Sequence, residues 1–207
     1  MTVMLTNKSL QDFLSALASP DPTPGGGSAA AVASAMGASL LIMVSALSKT
    51  KSGSDTDRTA LASARAALTA LQRQLTEAID ADTAAYDQVV AAYKLPKTTE
   101  SEQNERKAAI QRGLQAATDV PLGVVRLSAL GLEQAQVVAK HGHSAARSDV
   151  GVAIALLRAG LAGARMNVDI NLGSVKDPNY VDGVRLEVDR LADSAIAAAD
   201  TAERLLQ

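Results

Sequence analysis

The stretch PTPGGGSAAAVASAMGASLLIMVSALSK, Pro22 to Lys49, decides the fold. A Pro-Thr-Pro step breaks the chain, three glycines follow, and no charged residue then occurs before Lys49. Such a length would span a bilayer. Most of the segment is Ala, Ser and Gly, however, and these contribute little to transfer into lipid. The larger apolar side chains, Val32, Met36, Leu40, Leu41, Ile42, Met43, Val44 and Leu47, come late and sparsely. A helix apolar on every side also suits the centre of a soluble bundle, and the small side chains favour that alternative.

Composition points the same way. Hydrophobic residues make up 47% of the 207 but aromatics only 2%, so Ala and Leu must carry the packing and helices must approach closely. The length suits one domain over residues 1–207, enough to bury a core. The formal net charge is −2 with both signs interspersed, which offers no footprint for nucleic acid or an anionic membrane. Cysteine is absent, which removes disulfides, thiol catalysis and thiolate metal sites. The opening MTVMLTNKSLQDF lacks the basic start and apolar middle of a signal peptide, so a cytoplasmic location is expected.

Outward from the charge-free helix, apolar residues recur at helical spacing and nothing reads as a strand. Leu10, Phe13, Leu14 and Leu17 mark a first helix, from about Ser9 to Ala18. The charge-free helix comes second, ending near Ser48. A third, from about Thr56 to Tyr93, carries Leu61, Ala64, Leu68, Leu71, Leu75, Ala78, Ala85 and Val89 in steps of three and four. Asp55 or Asp57 is its expected cap, and Pro96 stops it. Thr99 with Glu102 forms a capping box that opens a fourth helix, to about Thr118. Asp119 and Pro121 either kink that helix or restart it, and it ends near Lys140 with Gly142 as a left-handed terminator. Further helices run from about Ser148 to Leu172, and from Asp177-Pro178 close to Gln207. The fold class is all-α, a single-domain bundle of six or seven helices.

Three features interrupt the pattern. The stripe that turns Leu61, Leu68, Leu75 and Val89 inward places Asp82 with them, whereas Asp80 points elsewhere. A carboxylate among apolar residues needs partners, and desolvation raises its pKa toward the range useful for proton transfer. The stripe fits a reacting acid about as well as a buried cap, an ion pair or an Asp at a groove edge reaching water. On the fifth helix Asp149, Asn167 and Asn171 share a face, Asp149 and Asn167 being 18 residues apart. They suit a ligand-gripping edge, or else a cap followed by asparagines that satisfy nearby backbone. The turn Pro24-Gly25-Gly26-Gly27-Ser28 exposes N–H groups at a helix start, suited to an anion. It lacks the Gly-Lys-Ser/Thr ending of a phosphate loop and the strand that precedes a dinucleotide fingerprint, so a tight turn is the alternative. His141 and His143 flank Gly142 with nothing to complete a ligand set, and no metal site is expected. Lys97, beside Pro96, is either solvated surface or a contact for an anionic ligand.

Six short motifs lie in order along the chain: PTPGGGS at 22–28, DADTAAY at 80–86, LPKTTESE at 95–102, ATDVPL at 117–122, ARSDVGVA at 146–153 and GARMNVDINL at 163–172. Together they resemble the cyclodeaminase/cyclohydrolase family, which includes the C-terminal domain of formiminotransferase-cyclodeaminase and free-standing methenyltetrahydrofolate cyclohydrolases. The resemblance implies an all-helical homodimer acting on a reduced folate, with or without an extended glutamate tail, and needing no cofactor. Members either open the methenyl bridge with water to give 10-formyltetrahydrofolate, or close 5-formiminotetrahydrofolate with release of ammonia. A non-catalytic folate-binding dimer is the third alternative. By the same resemblance Asp82, the second Asp of DAD, is the proton donor, and Pro24, Gly25, Gly26, Gly27 and Ser28 line the folate pocket. Ser148, Asp149, Asn167 and Asn171 line or support it, and Lys97 or the glycine amides receive the tail. His143 stands where relatives usually have Asn, with an expected effect on substrate preference or pH response. The glycine-rich helix, through Ala29, Ala30, Ala33 and Gly37, is the expected dimer seam.

Overall fold

A computed structural model describes residues 4–207, so the first three residues of the N-terminal stretch read above lie outside it. Six α-helices follow a short 3-10 turn at Leu5–Asn7: α1 (Leu10–Leu17), α2 (Gly26–Ser45), α3 (Asp55–Tyr93), α4 (Glu100–His141), α5 (Arg147–Leu172) and α6 (Pro178–Leu205). Among the described residues there is no strand, and the all-helical architecture stands as expected.

The charge-free segment is α2, and it is the central element, packed against α3, α4 and α5. It is long and apolar enough to cross a membrane, yet 56% of that window is buried inside the bundle. Small residues explain the fit. α2 and α5 run antiparallel, with Gly26 beside Asn167, Ala30 beside Gly160 and Gly163, and Gly37 beside Ala153 and Leu157. A Cβ at Gly160 would fall 2.7 Å from the Ala30 carbonyl oxygen, and one at Gly37 would fall 2.8 Å from that of Ala153. Neither helix could approach so closely with a side chain there. Ser34 and Ser128 bond to each other at 2.7 Å in the same dry layer, and Ser128 donates on to the Val124 carbonyl. Gly37 and Ala30 are thus consumed by packing within one chain, which corrects their place in an expected seam between two chains.

Three terminal details also differ from expectation. Ser54, not an aspartate, caps α3 by accepting the Asp57 N–H. Asp57 instead reaches Ser52 and His141, clipping the start of α3 to the end of α4. Gly142 is extended (φ −67°) rather than left-handed. Its missing side chain serves close approach, because a Cβ would lie 2.5 Å from the Val138 carbonyl.

The capping box of Thr99 and Glu102 opens α4, which runs unbroken through Pro121 to His141. Proline has no N–H to give the Ala117 carbonyl four residues back. Asn171 of α5 donates its side-chain amide to that oxygen at 2.8 Å. Asp119 accepts the Tyr180 hydroxyl at 2.7 Å and caps nothing. A neighbouring helix therefore repairs the gap, and no restart is needed.

Candidate active site

α2 begins without a cap of its own. Gly25 occupies the N-cap position and has no side chain to accept the free N–H groups of the first turn. Asp82 of α3 supplies the acceptor. Its Oδ2 receives the Ser28 N–H at 2.9 Å and lies 3.0 Å from Ser28 Oγ, which is itself 3.0 Å from the Ile79 carbonyl oxygen. Oδ1 takes no hydrogen bond from the described residues and rests over Gly27, where a Cβ would come within 2.1 Å of it. Only glycine leaves room for the carboxylate at that position.

Burial pushes the Asp82 carboxyl above the usual carboxylate range, against the two Ser28 hydrogen bonds, which favour the charged form. Desolvation is the larger effect because α2 brings no charge and the residue is half-buried. Asp80, two residues earlier, accepts from the Leu5 N–H and, at 2.6 Å, from Thr6 Oγ1, fastening the N-terminal turn to α3.

Asn167 stands on the α2 side of this site, its Nδ2 donating to the Gly163 carbonyl at 2.8 Å and lying 3.5 Å from where a Gly26 Cβ would be. Asn171, one turn on, is committed to Ala117. Pro24 is buried and lines a cavity of about 740 Å3 with Leu5, Thr23, Asp80, Ala84 and Asp87. That cavity opens on the side of α3 marked by positions 80, 84 and 87, half a helical turn away from Asp82. Lys97 is exposed past the end of α3, and the eleven residues from Asp82 to Tyr93 alone span about 16 Å.

The remaining expected residues lie at the opposite end of the bundle. His143 accepts the Ala145 N–H at 3.2 Å through Nδ1. With Lys51, Ser144 and Arg147 it lines a separate cavity of about 200 Å3. Ser148 is exposed and Asp149 partly so in the first turn of α5. From Asp149 to Asn167 is about 27 Å along the helix axis, so a shared face does not make a shared site within one chain. One end of the bundle gathers Gly26, Gly27, Ser28, Asp82 and Asn167; the other holds His143, Ser148 and Asp149. His141, whose Nδ1 is 2.7 Å from Asp57, is engaged apart from His143. Sequence reading offered a buried cap as one role for Asp82 but did not name α2 as the helix it caps. A signal for it was available, since a glycine at the N-cap leaves an acceptor to be found elsewhere.

Comparison with known proteins bears on this geometry. The family model described as formiminotransferase-cyclodeaminase matches residues 9–190. The methenyltetrahydrofolate cyclohydrolase of Methylorubrum extorquens is 38% identical over 125 residues, covering 60% of this chain and 60% of that protein. The formimidoyltransferase-cyclodeaminase of Sus scrofa is 38% identical over 126 residues, 61% of this chain but 23% of the longer protein. The match thus spans less than two thirds of either curated relative. The crystal structure of a formiminotetrahydrofolate cyclodeaminase from Thermotoga maritima superposes with a TM-score of 0.85 at 25% identity, over 97% of this chain and 96% of that one.

Proposed function

Because the chain belongs to the formiminotransferase-cyclodeaminase family, we propose that it is a methenyltetrahydrofolate cyclohydrolase in which Asp82 moves the protons. The observation that carries this reading is the half-buried Asp82 carboxyl, raised above its usual range beside the triple-glycine turn and with one oxygen unengaged. A carboxyl poised between its acid and base forms suits general acid–base work. Water adds to the methenyl carbon while the Asp82 carboxylate accepts one of its protons. The carbinolamine then collapses: its hydroxyl proton passes to solvent, the C–N5 bond breaks and N5 takes the proton held by Asp82, giving 10-formyltetrahydrofolate and restoring the carboxylate. The helix start at Gly26–Ser28 and the amide of Asn167 form the polar wall against which the folate would lie.

A second reading, formiminotetrahydrofolate cyclodeaminase, is favoured by the nearly full-length likeness to the Thermotoga maritima structure. There N10 attacks the formimino carbon, its own hydrogen passes to the imine nitrogen, and that nitrogen takes a second proton from the Asp82 carboxyl as its bond to carbon breaks, leaving as ammonia. Both reactions meet at the methenyl compound, and both are written with water, the Asp82 carboxyl and the folate alone. A folate-binding protein without turnover is the remaining alternative.

The working form we propose is a cytoplasmic homodimer of one domain spanning residues 1–207. Support comes from the outer sides of α2 and α5. Val152, Ala155, Ala159, Ala162, Met166 and Ile170 recur along one exposed side of α5, Met166 being 69% and Ile170 77% exposed. Met36 and Met43 of α2 are exposed beside them, and a groove of about 530 Å3 joins Met36 and Leu40 to Val152 and Leu156. An apolar stripe of this length, with Asp169 at its edge, suits a second copy of the same surface. In a dimer whose α5 helices cross antiparallel, the partner would bring its own Ser148 and Asp149 toward Asp82, and the 27 Å separation would no longer divide the expected residues. Sedimentation of the native protein and of Met166→Glu tests this: a dimer that the charge breaks supports it, and a monomeric native protein ends it.

For the activity, purified protein is followed by methenyltetrahydrofolate absorbance. Loss of absorbance from the methenyl compound marks the hydrolase; its appearance from the formimino compound marks the deaminase. Folate binding without either change would reduce the protein to a binder.

A further inference from the structure

The two oxygens of Asp82 have unequal surroundings. Oδ2 is fixed under the Ser28 N–H and within reach of its hydroxyl. Oδ1 has no partner among the described residues. Ser28 Oγ has a single hydrogen and two acceptors at 3.0 Å, the Ile79 carbonyl and Oδ2. When Asp82 is ionised the hydroxyl turns to Oδ2, where a charge-assisted bond is the stronger. When Asp82 is protonated, the N–H still points at Oδ2 and favours its carbonyl character. The proton then sits on Oδ1, and the hydroxyl is free to return to Ile79.

We propose that Ser28 is a positioning residue that holds Oδ2 as the accepting oxygen and so makes Oδ1, above the bare Cα of Gly27, the oxygen that carries and delivers the proton. Among the described residues no charged group competes for the carboxyl. α2 contains none, α5 presents the neutral Asn167, and on α3 itself Asp80 is engaged with Leu5 and Thr6 on the opposite side. Among the described residues, burial raises the Asp82 proton affinity and the two Ser28 bonds oppose it. Ser28 is fully buried, so water does not replace a deleted hydroxyl cheaply. The inference rests on the reading of Asp82 as the reacting acid.

The test is the pH dependence of kcat/KM for methenyltetrahydrofolate with Ser28→Ala. Losing one donor to the charged form moves the Asp82 inflection upward by about one pH unit. Ser28→Thr, which keeps the hydroxyl, returns it toward the native position. A rate lowered equally at every pH, with the inflection unmoved, would mean that Ser28 only packs, and the proposal would fall. If Ser28→Ala does not fold, Ser28→Cys, similar in size and a poor donor, replaces it with the same expected direction. The 13C titration of the Asp82 carboxyl, identified by its loss in Asp82→Asn, separates this proposal from the folate reading. An upward midpoint in Ser28→Ala without folate turnover keeps the role of Ser28 and discards the substrate; an unmoved midpoint discards the role itself.

Discussion

Two sheltered aspartates sit on α3, one in its first turn and one about two thirds of the way along, and their environments drive them in opposite directions. Asp57 is the more buried, yet its carboxyl is held well below the usual range by His141 first, then by the hydroxyl and N–H of Ser52. Asp82 is more exposed, has Ser28 as its one donor among the described residues, and is pushed up by desolvation. Low exposure alone therefore does not set the direction of a carboxyl's shift; the balance of desolvation, which leads at Asp82 and is minor at Asp57, against the donors does. Asp57 is saturated and acts as a clip. Asp82 is half-satisfied and keeps an oxygen in reserve.

The contrast breaks first at Asp82. Asp82→Asn is expected to lower methenyltetrahydrofolate turnover by about 10²–10⁴-fold while the helical circular dichroism is retained. Its thermal midpoint near neutral pH should be no lower than native, because a carboxyl whose folded pKa is raised weakens the fold as pH rises through that pKa. Gly27→Ala comes next. Its Cβ would sit 2.1 Å from Oδ1, so the carboxylate must leave Ser28, and the rate should fall about tenfold or more by the same assay. In the first turn of α3, Asp57→Asn should lower the thermal midpoint by several degrees at neutral pH with turnover per folded molecule kept. The sign there is opposite. A depressed folded pKa gives stability that is complete above the ordinary carboxylate value of about 3.9 and lost as pH falls below it, so native and variant should converge in acid. The smallest effect belongs to a neutral donor: Asn171→Leu strands the Ala117 carbonyl at Pro121 and should cost about 1 kcal/mol in urea unfolding.

Much of this was legible in the chain. Helical periodicity located the six helices, and the scarcity of aromatic rings foretold close helix approach. The inward phase of Asp82 followed from Leu61, Leu68 and Leu75, because a helix period is fixed by backbone geometry. What stayed hidden was which neighbour answers each demand. Pro121 announced an unpaired carbonyl but not that Asn171 would satisfy it. Gly25 announced an uncapped helix but not that Asp82 would cap it. Asp149 and Asn167 shared a face, yet periodicity gives angle around an axis and not convergence along it, and 27 Å kept them apart. Gly37 looked like a seam because a close approach reads alike whether the partner is α5 or a second chain.

The unequal proton affinities of the two aspartates can be read directly by 13C carboxyl titration of the native protein. The midpoint of Asp82 should fall above the ordinary value and that of Asp57 below it. An Asp82 midpoint at or under the ordinary value would mean that Ser28 overcomes burial, and that the acid beside the glycine turn is a second clip rather than a proton donor.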